Sequence, residues 1–208
     1  MREDVQVAEG RRKAEADTAS RILDVAERLV QLRGFNGFSY ADVAADLSIT
    51  KAILHYHFAG KAELGEALIG RYAERFNGSL AEIEARPIDA RAKLDAYAKL
   101  YADVLRGKRM CLCGMLAAEY QTLPKPMRSA VIRFFDEQEA WLTRVLEQGR
   151  DEGTLRFEGP AGEAAQMIVG GLEGAMLVTR PYGDLARFQA AATHLLSSLD
   201  SGTREPVS

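Results

Sequence analysis

Residues 39–58 read SYADVAADLSITKAILHYHF, and their apolar spacing predicts two short helices joined by a tight turn. Ser39 is a helix-capping residue, and Asp42 completes an S-x-x-D arrangement in which each side chain satisfies a backbone N–H. The turn begins at Ser48, and Thr50 caps the second helix. Apolar residues at helical spacing face inward: Val43, Ala44, Leu47, Ile53, Leu54 and Phe58. The stretch therefore predicts a helix-turn-helix unit.

The outer face of the second helix carries side chains that suit duplex DNA. They are Lys51, His55 and Tyr56, with His57 beside them. A major groove about 12 Å wide admits one α-helix, whose first residues meet base edges while neighbouring donors hold phosphates. Lys51 suits a phosphate or a guanine edge, whereas Tyr56, His57 and the Thr50 hydroxyl suit phosphate oxygens. Lys61 adds charge at the start of the next helix. The alternative is a helical hairpin with a polar outer face, because short capped helices are common.

The region from about residue 18 to residue 72 resembles TetR-type bacterial transcriptional regulators. The resemblance rests on G-F-x-x-F-S-x-x-D-V-A at Gly34–Ala44 and on L-x-x-H-F-x-x-K at Leu54–Lys61. It implies that DNA is touched by Ser39, Tyr40, Thr50, Lys51, Ala52, His55, Tyr56, His57 and Lys61. Ser48 stands where glycine is usual, so a left-handed turn there costs slightly more. His55 replaces a frequent tyrosine, so the family pattern does not set the base contacts at that position.

Composition fits a soluble globular protein, with 47% hydrophobic and 27% charged residues and a net charge of -3. Residues 1–61 contain nine Lys or Arg and nine Asp or Glu, so attraction to phosphate must come from local placement. The chain has no glycine-rich nucleotide loop, nucleophile motif, metal-ligand cluster or obvious carboxylate pair. We therefore expect no enzyme activity, no cofactor and no metal. A helical interaction module that does not bind DNA remains a further alternative.

The charged N-terminus lacks the apolar core of a signal peptide, and no apolar run reaches membrane-span length. We therefore expect a cytoplasmic protein without membrane contact, and reduced thiols at its two cysteines. Helical patterns without strand alternation predict an all-α fold of about nine helices. We divide it into a mobile arm (1–16), a three-helix DNA-binding domain (17–62), a helical effector-binding and dimerisation domain (63–200) and a flexible tail (201–208).

Helix boundaries follow from breaker residues. The first helix is predicted from residue 17 or 18 to Arg33, a later one from 61 to about 76 with possible extension to 86, and another from Pro87 to Arg106. The remaining helices are predicted at 111–122, 125–151, 161–179 and 184–199. The last two carry more apolar surface than one chain covers, so we expect an isologous four-helix interface between two copies. Its predicted residues are Met167, Gly171, Leu172, Ala175, Met176, Leu195, Leu196 and Leu199. A core within one chain is the alternative.

A regulator that reads DNA needs an effector, and residues 87–180 are the place to seek its site. The candidate residues are Tyr97, Tyr101, Cys111, Cys113, Met115, Glu119, Phe135 and Trp141. Cys111 and Cys113 follow three basic residues at a predicted helix start, which favours thiolate, and this segment resembles TetR-type regulators that sense electrophiles or oxidants through a cysteine. The alternative is that these side chains are inert packing groups. Glu119 is interpreted as a buried carboxylate that orients a ligand or caps a neighbouring helix.

Taken together, these features predict a homodimeric repressor whose recognition helices enter successive major grooves of a pseudo-palindromic operator. A small-molecule or electrophilic effector would change the separation of the two helices and release the DNA.

Overall fold

The computed structural model describes the backbone of residues 2–199 and the side chains of residues 15–199. Within that range every regular element is helical, which confirms the all-α prediction and its helix-turn-helix followed by a helical C-terminal domain. The α-helices are α1 (Arg2–Arg33), α2 (Tyr40–Leu47), α3 (Lys51–His57), α4 (Lys61–Glu84), α5 (Ala90–Arg106), α6 (Leu112–Ala118), α7 (Lys125–Asp151), α8 (Ala161–Thr179) and α9 (Leu185–Ser197). Short 3-10 turns follow at Tyr120–Thr122 and Arg180–Tyr182. The predicted tail, residues 201–208, lies outside the described residues.

The first helix begins at Arg2, so the prediction that it starts near residue 17 was wrong. The segment interpreted as an arm has helical backbone from residue 2 onwards. Its low apolar content suggested an arm, but it is rich in Ala, Glu, Arg and Lys, which are strong helix formers. Joined to a helix whose apolar face is already packed, these residues extend it without a new nucleation step.

The start of α5 was also predicted wrongly, at Pro87 instead of Ala90. Asp89 caps the helix, because its carboxylate accepts the Ala92 N–H at 2.8 Å. A good N-cap two residues inside the predicted boundary determines the start of the helix, in preference to proline at the first helical position.

Helix α4 connects the helix-turn-helix region to the C-terminal helical bundle. It packs against α1, α5, α6 and α7, while α8 packs on α7 and α9. An ionic network fixes α4 to α1: Arg71 Nη1 and Nη2 lie 2.7 and 3.1 Å from Asp24 and Glu27, and Arg75 Nη2 lies 2.6 Å from Glu27. Glu27 is buried, so loss of its partners would leave an uncompensated interior charge. A tilt of α4 is therefore transmitted to α1.

Candidate nucleic-acid interface and interior site

The helix-turn-helix has the predicted caps. The Ser39 N–H and hydroxyl donate to Asp42 Oδ2 at 2.7 and 2.6 Å, and these hydrogen bonds lower the pKa of Asp42 below its ordinary value. Thr50 Oγ1 accepts the Ile53 N–H at 3.4 Å at the start of α3. Ser48 lies in the left-handed region, with φ of 53°, so the turn usually made by glycine is preserved at some conformational cost.

The outer face of α3 is exposed as predicted. Lys51, Ala52 and His55 are exposed, and Tyr56 is 68% exposed. Lys51 makes no hydrogen bond or ion pair with any described residue. The Tyr56 hydroxyl donates to Glu15 at 3.3 Å, which holds its ring beside the middle of α1. His55 Nδ1 lies 3.1 Å from the Ala59 carbonyl, so Nδ1 is the donor in that hydrogen bond.

Two residues predicted to touch DNA point into the protein instead. The Tyr40 hydroxyl donates to the Phe58 carbonyl at 3.0 Å, and burial with the Glu63 charge raises the pKa of Tyr40 to about 12. Lys61 Nζ donates to the Phe35 and Phe38 carbonyls, each at 2.5 Å.

The rings of Phe35 and Phe38 also receive the Lys61 ammonium, with centroids 4.6 and 4.3 Å from Nζ. Burial lowers the pKa of Lys61 below its ordinary value, although the Glu119 and Asp42 charges oppose the shift. Lys61 therefore holds α4 to the loop before α2, which gives it a positioning role in the unit. Sequence reasoning missed this because the receiving groups are backbone carbonyls, which no side-chain motif reveals.

Glu119 does not belong to the interior site for which it was predicted. Its Oε2 accepts the Phe35 N–H at 2.5 Å, and both carboxylate oxygens lie 3.3 Å from the Asn36 N–H. The Asn36 side chain donates to Thr122 Oγ1 at 2.7 Å, and Arg180 donates to the Leu32 carbonyl. We call Glu119, Thr122 and Arg180 the clasp. It joins the ends of α6 and α8 to the end of α1, and the capping alternative for Glu119 comes closest to what is seen.

The structure contradicts the prediction that the cysteines favour thiolate. Cys111 and Cys113 are buried, and burial raises the pKa of both thiols well above the ordinary value, with the Glu173 charge adding to the shift. The Tyr72 hydroxyl lies 3.6 Å from Cys111 Sγ. The basic residues before them, Arg106, Lys108 and Arg109, are exposed and give the thiols no stabilising charge. Both cysteines are therefore neutral thiols in this structure.

Glu173 is the interior carboxylate that sequence reasoning missed. Burial raises its pKa to about 7, and its Oε1 has no hydrogen-bond partner among the described residues. Gly114 on α6 makes room for it, since a Cβ at that position would overlap the carboxylate. The available signal was a single charged residue within the otherwise apolar run MIVGGLEGAMLV.

Three other predicted effector residues do come together. Tyr97, Tyr101 and Trp141 are buried; the two tyrosine hydroxyls are 3.1 Å apart, and the Tyr97 and Trp141 rings stack at 5.7 Å. Two more lie away from this group. Met115 is half-buried, with its sulfur 3.4 Å from the Arg180 guanidinium, and Phe135 is half-buried beside Phe134.

The predicted dimer residues are mostly core residues of one chain. Leu172, Met176, Leu196 and Leu199 are buried, while Gly171 admits Leu195 across the α8–α9 contact. Ala175 is half-buried, so of the eight only Met167 is exposed. The opposite face of α8 remains uncovered, with Met167, Leu177 and Val178 exposed by 47%, 57% and 60%. Helical spacing predicted more apolar surface on α8 than one chain covers, but it did not predict which part of that surface the chain's own core uses.

No helix within residues 2–199 has the length and apolar character needed to cross a membrane. Among residues 15–199, whose side chains the structure describes, no three His, Cys, Asp or Glu residues are grouped so that they could hold a metal ion.

Comparison with known proteins agrees with this architecture. Residues 22–68 match the family model described as bacterial regulatory proteins, tetR family, and residues 90–195 match the tetracyclin repressor-like C-terminal domain. A TetR-family transcriptional regulator from Agrobacterium tumefaciens superposes with a TM-score of 0.86 and 32% identity, covering 89% of this chain and 99% of that one.

Two curated relatives are similar over most of their length. The HTH-type transcriptional repressor NemR of Escherichia coli K12 is 27% identical over 161 residues, which are 74% of this chain and 79% of NemR. The HTH-type transcriptional regulator LmrA of Bacillus subtilis is 26% identical over 170 residues, 78% of this chain and 86% of LmrA. With both family models matched and the helix-turn-helix in place, the chain belongs to the tetR family of bacterial regulatory proteins.

Proposed function

We propose that the chain is a homodimeric transcriptional repressor that leaves its operator when an effector occupies the C-terminal domain. The observation that carries this proposal is the outer face of α3, where Lys51 is exposed and has no partner among the described residues. The residues around it are held by internal contacts, so the face is preorganised for a groove. The similarity to proteins named as repressors supports the direction of control.

Dimerisation is proposed through the uncovered face of α8. Met167, Leu177 and Val178 lie on one side of the helix together with Gly170 and Gly174, whose missing side chains permit close backbone approach. Two copies of this face would pack as an isologous interface. The two recognition helices must then lie about 34 Å apart to enter successive major grooves.

Release is proposed to act through α4 and the clasp. Helix α4 runs from Lys61, beside the recognition helix, to the interior of the bundle, where Tyr72 meets Cys111. The clasp supplies a second connection through Glu119. An effector that shifts α4, α6 or α8 would change the orientation of α1–α3, so that both recognition helices could no longer bind at once.

The test is selection of bound fragments from the host genome, followed by fluorescence anisotropy on the selected duplex. We expect a protected site with two-fold symmetry, a steep salt dependence and at least a hundredfold preference over random duplex. The variant Lys51→Ala should weaken binding, whereas Lys99→Ala, a surface lysine on α5, should not. Equal affinity for selected and random duplexes would instead favour a helical interaction module that does not bind DNA.

A further inference from the structure

Several polar atoms buried in the helical bundle have no hydrogen-bond partner among residues 15–199. Glu173 Oε1, Trp141 Nε1 and both amide atoms of Gln138 make no hydrogen bond within the described residues. Gln138 is completely buried and lies one turn from Trp141 on the inner face of α7. Buried polar groups are ordinarily paired, because an unpaired one retains the full cost of leaving water. A bound molecule that hydrogen-bonds to these groups would therefore recover part of their cost of burial.

Glu173 is also a buried carboxylate without a counter-ion. The titratable groups that act on it or feel its charge come from α4, α5 and the start of α6: Tyr72, Tyr97, Tyr101, Cys111 and Cys113. None of them is basic, and the ion pairs found among residues 15–199 do not include Glu173. A ligand that brings positive charge supplies what the fold leaves out.

Aromatic rings surround the same region. Six of them form a continuous cluster through ring contacts: Tyr72, Phe76, Tyr97, Tyr101, Phe134 and Trp141. The faces of tyrosine and tryptophan rings attract cations, and their bodies bind apolar groups. A carboxylate beside such rings is chemistry suited to an ammonium group, whereas the negative charge of Glu173 would repel an anion.

We propose that this interior is the effector site and that it takes a small organic cation, a protonated amine or ammonium group carried on a compact aromatic or branched body. The ammonium group hydrogen-bonds to Glu173, and the body lies among Tyr97, Tyr101 and Trp141. The role of this ligand as an effector rests on the repressor function proposed above, whereas the binding of the cation does not depend on that function.

A surface groove reaches the edge of this cluster. Its volume is about 160 Å³, and it lies between α4 and α7, with Glu66, Arg133 and Glu137 on its walls. Phe134 also lines the groove, and its ring packs on Tyr72 at 5.6 Å. The groove therefore meets the aromatic cluster at Phe134.

Trp141 provides the assay, because it is the single tryptophan of the chain. The protein without DNA is titrated with benzylamine, with benzyl alcohol as a neutral compound of the same size, and with benzoate as an anion. We expect a saturable fluorescence change with benzylamine, at least tenfold weaker binding of benzyl alcohol and none of benzoate. Affinity for benzylamine should rise about tenfold from pH 6 to pH 8, because Glu173, whose pKa is about 7, becomes ionised over that range.

The matched variants are Glu173→Gln and Glu163→Gln, both on α8, with Glu163 exposed near its start. Glu173→Gln should weaken benzylamine binding at least tenfold at pH 8 and abolish its pH dependence, while Glu163→Gln leaves both unchanged. Circular dichroism confirms that each variant is folded. Equal binding of benzylamine and benzyl alcohol, no saturable response, or full affinity in Glu173→Gln would each overturn the proposal. Because this titration contains no DNA, a negative result would overturn the cation site without contradicting the repressor proposal. Likewise, absence of operator binding would overturn the repressor proposal without contradicting the cation site.

Discussion

Substitutions at Lys61 and Lys51 should have different effects, because Lys61 positions the helix-turn-helix whereas Lys51 is proposed to contact DNA. Lys61 Nζ donates to two backbone carbonyls at 2.5 Å, so Lys61→Met removes two charge-assisted hydrogen bonds while it retains the apolar stem. Hydrogen bonds to charged groups contribute about 1.5–3 kcal/mol each, and partial exposure of this site reduces the sum. We expect a loss of about 2 kcal/mol in the free energy of unfolding, which lowers Tm by about 4–8 °C in a chain of this size.

Lys51→Met should leave stability unchanged and reduce the salt dependence of DNA binding. Lys51 is exposed and unpaired among the described residues, so its loss should leave Tm unchanged within a degree or so. A lysine that neutralises one phosphate contributes about 0.9 to the slope of log affinity against log salt, and a dimer loses it twice, a change of about 1.8. Lys61→Met should keep the wild-type slope. The assays are differential scanning calorimetry and anisotropy titrations across salt concentrations. A Lys61→Met protein with unchanged Tm and a reduced slope would refute the positioning role.

Four further predictions concern other parts of the fold. Glu119→Ala should lower the free energy of unfolding by about 1–3 kcal/mol, because backbone N–H groups lose their acceptor. Hydrogen exchange measured by mass spectrometry should become faster at the amides of residues 34–36, and unchanged exchange would show that the clasp is not formed. Leu177→Glu should give monomers by sedimentation velocity, whereas persistent dimers would move the interface elsewhere. Burial raises the pKa of Glu173 from 4.5 to about 7, so the folded state binds the proton more tightly, and stability is lost as pH rises through that range. The free energy of unfolding of Glu173→Gln, relative to that of wild type, should therefore increase by up to about 3 kcal/mol between pH 5 and pH 8. A difference that does not change with pH would contradict burial of the charge. Ser48→Gly should raise stability by about 1 kcal/mol, since φ is 53°; a fall in Tm would mean that the Ser48 side chain makes a compensating contact.

Local sequence signals predicted the helix-turn-helix well because its geometry depends on neighbours in the chain. The Ser39–Asp42 capping arrangement and the Thr50 cap are both found as predicted. The bounds of α7 and α8 also match, since Pro124 and Pro160 stop any helix that would otherwise continue into them.

Long-range partners were less accessible from the sequence. Glu119 and Glu173 are both isolated acidic residues in apolar surroundings, yet one meets backbone amides of the first domain and the other lies in the interior with its Oε1 unpaired among the described residues. Only the packing of α6 against α1 and of α8 against α7 decides between them. The prediction of reactive cysteines failed for the same reason, because the basic residues that precede them in sequence are exposed to solvent while both thiols are buried.

In the proposed complex, two α3 helices bind one operator as a matched pair. Light scattering during size-exclusion chromatography, applied to the protein with a duplex selected from the host genome, measures the number of chains on each duplex. We expect a complex of two chains per duplex that dissociates as salt is raised and is not displaced by random competitor. A complex of one chain per duplex, or one that random DNA displaces equally well, would contradict it.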